Sequence, residues 1–454
     1  MSVISGNIDT RVADLRSVTD EALRLSPARE AEVIVFHRDT ALTRFANSEI
    51  HQNVAERDLT VRIRVVDAGR FGVASTNRVD ADSLRRAGEL ALEAARRQPA
   101  REMTPPLAPT ADADPPPIDP ATAAATPEER ASLVAIICAE AEARGVRAFG
   151  ALSTGINTYA VANSGGLFLA GPRTIANLQV ATIAGDGHGY ADRASIHLAD
   201  IDAAAAGQEA VEKALNTRNA GAIEPGVYPV VLEEAAVAEL LEYLSYIGFS
   251  GLAAEEGRTF MRLGEKITGE SIHVWDDGND PSGLPMTFDF EGVPKRRVEL
   301  ITDGVATGLV HDMASAVRFG VESTGHGLPA PNPIGAWASN LFIGGGEADS
   351  KVDLLKGIER GVWVTRFWYV NVLHPRQSLL TGMTRDGTFL IENGEITRPI
   401  KNMRFTQSVM AALAGASAIT REQKLVAGSD YEFTQALMVP AMRLEGFNFT
   451  SVTR

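Results

Sequence analysis

The segment VLEEAAVAELLEYLSYIGFSG, residues 231–251, decides how the second half of this chain is read. Val237, Leu240, Leu241, Leu244 and Ile247 recur at helical spacing and form one apolar stripe, which predicts a helix over 233–247. Glu233 and Glu234 fall in its first turn, where the helix dipole favours negative charge. Glu239 and Glu242 fall off the stripe. Taken alone, the residues describe an amphipathic helix with a solvated acidic face. Because the helix follows an apolar run at 227–232, three readings stay open: a catalytic helix, one that has lost its chemistry, or a plain helix face.

Beyond this helix the chain is mostly strand-like. Apolar or alternating runs at 228–232, 271–277, 286–291, 296–304, 305–312, 340–346, 362–373, 387–396 and 441–449 are separated by turns such as Asp303-Gly304 and Asn393-Gly394. Few helices interrupt them, near 233–247, 350–358 and 406–415. This pattern predicts a mostly antiparallel, barrel- or sandwich-like domain over 221–454.

The first half mixes the two periods. A helix is expected over 9–25, strands over 31–38, 41–56 and 59–66, a hairpin partner at 71–76, and a helix capped by Asp80 and running to about Arg97. Leu59, Val61, Ile63 and Val65 alternate with polar residues, the period of a half-buried strand. Seven prolines in 104–125 forbid a regular element there and predict an extended connector. Thr126-Pro-Glu-Glu129 then opens a helix with a capping box. Short strands follow over 147–198, with a hairpin turn at 163–166, and a helix at about 201–215. The expected organisation is therefore an N-terminal α/β domain (1–103), the connector (104–125), a middle α/β region (126–220) and the β-rich domain (221–454), an α+β chain containing a β-meander.

With 454 residues the chain is too long for one ordinary core. A net charge of −15 opposes binding to a nucleic-acid backbone. One cysteine, Cys138, excludes an internal disulfide and any multi-cysteine metal site; its neighbours Leu133, Ile136 and Ile137 mark it as a core residue. No window approaches 18 apolar residues, so no membrane span is expected, and MSVISGNIDTRVADL lacks the pattern of a signal peptide. A cytoplasmic location follows as the expectation.

The eight histidines include no pair three to five residues apart, so no helix offers a paired-histidine face. The glycines around His188 (185–189) read as a turn, as does Ser323-Thr-Gly-His-Gly327, which lacks the strand-elbow-helix setting of a nucleophilic serine. Gly344-Gly-Gly346 is followed by acidic residues that would repel a phosphate. Asp276-Asp277 and Asp289-Phe-Glu291 offer oxygen ligands, but turn chemistry accounts for them equally. At the level of the residues two readings stay open: an independently active hydrolase with scattered metal ligands such as His311, His326 and Asp289 or Glu291, and a peptide-binding scaffold acting as a homodimer.

Several separated blocks resemble the TldD/PmbA family: 44–65, 69–77 and 161–167 in the first half, and 288–312, 323–327 and 389–402 in the second. The resemblance covers nearly the whole chain. TldD-like members of that family carry His-Glu-x-x-x-His on a helix that follows a strand and a Leu-Leu pair, with a third zinc ligand further on. In this sequence the matching helix reads Leu240-Leu241-Glu242-Tyr243-Leu244-Ser245-Tyr246-Ile247. Glu242 and Ile247 stand where the histidines would be and Tyr243 where the general base would be; the late-chain cysteine that the resemblance implies as third ligand is missing, Cys138 lying far upstream. The resemblance therefore implies a TldE/PmbA-like subunit with no catalytic residue and no metal or other cofactor of its own. Zinc is expected in a TldD-like partner. The pair would enclose a cavity that degrades or trims unfolded or modified peptides, with extended peptides as the substrates.

Overall fold

The computed structural model describes residues 8–99, 105–428 and 435–453. The stretch 1–7, which opens the segment read for a signal peptide, and the expected boundary at 103–104 lie outside these residues.

Six antiparallel strands form the first sheet in the order β3-β2-β1-β4-β5-β6. They are β1 (Glu30–Ala46), β2 (Glu49–Asp67), β3 (Arg70–Thr76), β4 (Arg147–Asn163), β5 (Phe168–Ala184) and β6 (Gly187–Ser195). The helices of this half are α1 (Ile8–Leu25), α2 (Ala81–Arg97), α3 (Pro120–Ala123), α4 (Pro127–Ala143) and α5 (Ala203–Asn216). Segments on both sides of the connector thus share one sheet through the β1–β4 pairing.

The alternation at 59–65 has the expected consequence. Val61, Ile63 and Val65 are fully buried with Leu15 of α1 and Leu84 of α2. Helices α4 and α5 cover β4 to β6 with Val134, Ile137, Ala206 and Ala210. The opposite face carries Ile34, Phe36, Tyr159 and Val161, which pack against Phe288 and Phe290 of the C-terminal half. The connector crosses this second face. Its Pro105 carbonyl accepts from Arg64 at 2.9 Å and its Ala108 carbonyl from the Asn163 side chain at 2.8 Å.

Two expected strand breaks, at 39–40 and at 57–58, are absent, the second because β2 runs unbroken through Arg57 and Asp58. Strand β1 continues through Asp39-Thr40 to Ala46, and the hairpin turns instead at Asn47 and Ser48, whose φ values are 53° and 63°. Asp39 and Thr40 remain paired with Arg57 and Glu56 in mid-strand, so their polarity marks a half-buried stretch of β1 rather than a turn.

The second sheet has 11 strands and is mixed. It contains β7 (Gly226–Leu232), β8 (Val274–Asp276), β9 (Val298–Thr302), β10 (Val305–Ala306), β11 (Asn340–Ile343), β12 (Arg360–His374), β13 (Leu379–Glu392), β14 (Glu395–Pro399), β15 (Met403–Ser408), β16 (Ala416–Ala427) and β17 (Ala436–Val452). Two pairings, β7–β12 and β11–β17, are parallel. The pairings β7–β12–β13–β15–β17–β7 form a closed circuit. Phe367, Phe405 and Phe447 from β12, β15 and β17 cluster in its core, with ring centroids 4.6 to 5.5 Å apart.

The helices here are α6 (Glu234–Gly248), α7 (Gly251–Glu255), α8 (Met313–Phe319) and α9 (Val409–Ala414). The stripe predicted on α6 is buried, none of its five residues being more than 3% exposed. Full burial of each side chain contributes about 1.5–3 kcal/mol. Helix α8 is not legible in the apolar pattern; Asp312 and Ser315 cap it reciprocally, and Gly320 ends it at φ 65°. The helix expected over 350–358 is a short 3-10 turn at Lys351–Leu355, and the strand expected over 286–291 makes only an isolated bridge, Phe288 to Pro294. No helix among the described residues is long and apolar enough to cross a membrane.

A cleft between the two sheets as the candidate functional site

Helix α6 buries one side in the C-terminal core and turns the other toward the first sheet. Ala235, Ala238, Glu239, Glu242 and Tyr243 lie three or four residues apart on that other side, so they share one face. They line a cleft of about 950 Å³. Gly150, Asn177, Gln179 and Tyr190 of the first sheet form the opposite wall, and Arg366, Trp368, Tyr369 and Asn371 of β12 lie along one side.

The acidic face of α6 is therefore not the solvated face that its sequence suggests. Burial, reinforced by the Glu242 charge, pushes the Glu239 carboxyl up to about 7, against the opposing pull of Arg366. Arg366 donates through Nε to Asp386 at 2.8 Å, and its guanidinium lies 4.1 Å from the Tyr190 ring centroid and 5.4 Å from that of Trp368. A second guanidinium, Arg385, sits 4.4 Å from the Trp368 ring.

Strand β12 is irregular here. Its register with β13 shifts between Trp368 and Asn371, and Tyr369 adopts φ 54°. A non-glycine residue in the left-handed region costs about 1–2 kcal/mol. The bulge leaves Trp368 and Tyr369 44% and 68% exposed at the cleft.

The three positions singled out in the sequence have separate fates. Glu242 lines the cleft. The Tyr243 hydroxyl donates to the Val370 carbonyl at 2.5 Å. Ile247 is 2% exposed within the C-terminal core. A hydrolytic zinc site takes three protein donors and an open position. Ile247 has no donor atom, and Tyr243 points its oxygen at the backbone. Among the described residues no group of three or more His, Cys, Asp and Glu is arranged to hold a metal ion. These residues do not fit zinc.

The scattered-ligand candidates come together only in part, and each is engaged by other groups. His326 is fully buried; its Nε2 lies 2.8 Å from Asp276 Oδ1, and its Nδ1 lies 2.9 Å from both the carbonyl and the hydroxyl of Thr324. Burial alone would raise the Asp276 carboxyl, but Lys295 and His326 outweigh it and hold the group well below the usual range. The Asp289 carboxylate accepts main-chain N–H groups of Glu291, Val293 and Gly327 at 2.6 to 2.9 Å, while burial pushes its pKa up to about 7. Glu291 accepts the Met313 N–H at 2.7 Å at the start of α8. His311 is held separately, its Nδ1 3.3 Å from the Ser315 hydroxyl. Asp277 accepts the Asn279 N–H, as a turn residue does.

The remaining candidates are structural. His188 is exposed on β6. Of the glycines in the 185–189 run only Gly185 lies in the turn, at φ 64°; Gly187 and Gly189 lie in β6, where a Cβ would stand 2.1 Å and 2.0 Å from carbonyls of α5. Gly345 and Gly346 meet β16 in the same way. The Ser323 hydroxyl donates to the His311 carbonyl. Burial pushes the Cys138 thiol up, away from nucleophilic use.

One residue has a larger role than its sequence position signals. Glu233 precedes α6 without capping it through its side chain. Its carboxylate instead accepts from the Trp363 indole at 2.6 Å, Thr365 at 3.1 Å and Lys213 of α5 at 2.7 Å. Burial would raise this group, but Lys213 and Lys351 hold it below its usual value. The network ties α5 of the first half to the floor of the second. Nothing in residues 231–251 reveals it, because the partners come from three other segments.

Comparison with known proteins matches the chain in three blocks. Residues 31–95 match domain 1, residues 116–218 the central domain and residues 225–451 the C-terminal domain of the PmbA/TldA metallopeptidases. A metalloprotease TldD homolog of Haemophilus influenzae is 28% identical over 241 residues, 50% of this chain and 48% of that protein. The metalloprotease PmbA of Escherichia coli O157:H7 is 27% identical over 192 residues, 40% of this chain and 38% of its own length. The chain thus spans about half the length, or less, of the curated relatives it matches. The crystal structure of TldE from Thermococcus kodakarensis superimposes with a TM-score of 0.83 at 22% identity, over 96% of this chain and 99% of that one, and so shares its fold.

Proposed function

Because the chain belongs to the PmbA/TldA metallopeptidase family, we propose that it is a non-catalytic, TldE-like subunit of a TldD/TldE-type zinc metallopeptidase. It pairs with a TldD-like chain that supplies the zinc and the general base. Together they enclose a chamber in which unfolded or modified peptides are degraded or trimmed in the cytoplasm. The cleft beside α6 is this chain's contribution to that chamber.

The observation that carries the reading is the fate of the helix positions. A side chain without a donor atom, Ile247, occupies one of them and is packed into the core, while the Tyr243 oxygen is tied to Val370. Such a helix holds the shape of the chamber and leaves the hydrolytic step to its partner. Co-expression with a TldD-like chain tests this. Cleavage of an unstructured peptide is expected only when both chains are present; equal cleavage by the partner alone would contradict it.

A further inference from the structure

We draw no further inference here: the strongest candidate, the cleft between α6 and the first sheet, belongs to the site already described, and its charged groups point to no ligand of their own, Glu242 being engaged and Arg366 sharing the Asp386 carboxylate with Arg385 while the two guanidiniums lie on the Tyr190 and Trp368 rings.

Discussion

The Tyr243 hydroxyl donates a hydrogen bond to the Val370 carbonyl at 2.5 Å, joining helix α6 to the irregular part of strand β12. Four residues on, Ile247 is sealed in the core. Converting these positions to the His-Glu-x-x-x-His pattern is therefore not a surface change. Ile247→His would place an imidazole among apolar side chains, exchanging good packing for a polar group without a partner. A loss of about 2–4 kcal/mol is expected in denaturant unfolding, with no gain of zinc affinity. A stable variant that binds zinc stoichiometrically would show that the helix retains a usable site.

Glu233 holds Lys213 across the two halves of the molecule. Replacing it with Ala leaves a nearly buried ammonium with Glu209 and a long contact to the Tyr190 carbonyl, and the Trp363 indole loses its acceptor. Breaking a buried pair from one side typically costs about 3–5 kcal/mol. Thermal unfolding of Glu233→Ala should shift markedly downward. Lys351→Ala, whose closest contact is the more accessible Glu234, should shift it far less.

Stability should fall with rising pH at Glu239, as it should at the buried Asp289. The Glu239 carboxyl titrates near 7 in the fold against an ordinary value of 4.5. Between these limits the native state keeps a proton that the unfolded chain has released, so its contribution is most favourable below 4.5 and is lost as pH rises through about 7. Glu242 and Tyr243 on the same helix, Arg366 on β12 and Tyr190 on β6 are the groups facing it. Glu239→Gln should flatten this part of the profile of melting temperature against pH. An unchanged slope would mean that Glu239 titrates normally.

Gly189 sets how closely α5 approaches the first sheet. A Cβ there would lie 2.0 Å from the Ala210 carbonyl oxygen and 2.7 Å from the Ala214 nitrogen. Gly189→Ala should force the helix outward and destabilise by about 1–3 kcal/mol. Gly185→Ala should act differently, because its Cβ meets open space and only the positive φ is strained.

Much of the architecture is legible in residue periodicity. The stripe on α6, the alternation at 59–65 and the Thr126–Glu129 capping box each specify a local conformation through neighbours in sequence. The capping box forms with Glu129 reaching the Thr126 N–H at 2.7 Å. What periodicity does not report is which faces meet. Glu239 looks solvated because it is off the apolar stripe, yet another sheet covers that side. The run Gly185–Gly189 looks flexible, yet two of its glycines are demanded by a helix from 203–216. The proposal that Glu242, Tyr243 and Ile247 stand in place of zinc ligands rests on family resemblance, because a Glu, a Tyr and an Ile on a helix carry no mark of what they would replace.

Metal analysis by mass spectrometry of the purified chain, after equilibration with zinc and removal of excess, tests the central claim most directly. The account predicts far less than one zinc per chain, and stoichiometric zinc in a purified complex only when the TldD-like partner is present. One tightly held zinc per molecule of this chain alone, lost when Glu242 is replaced by Ala, would contradict it.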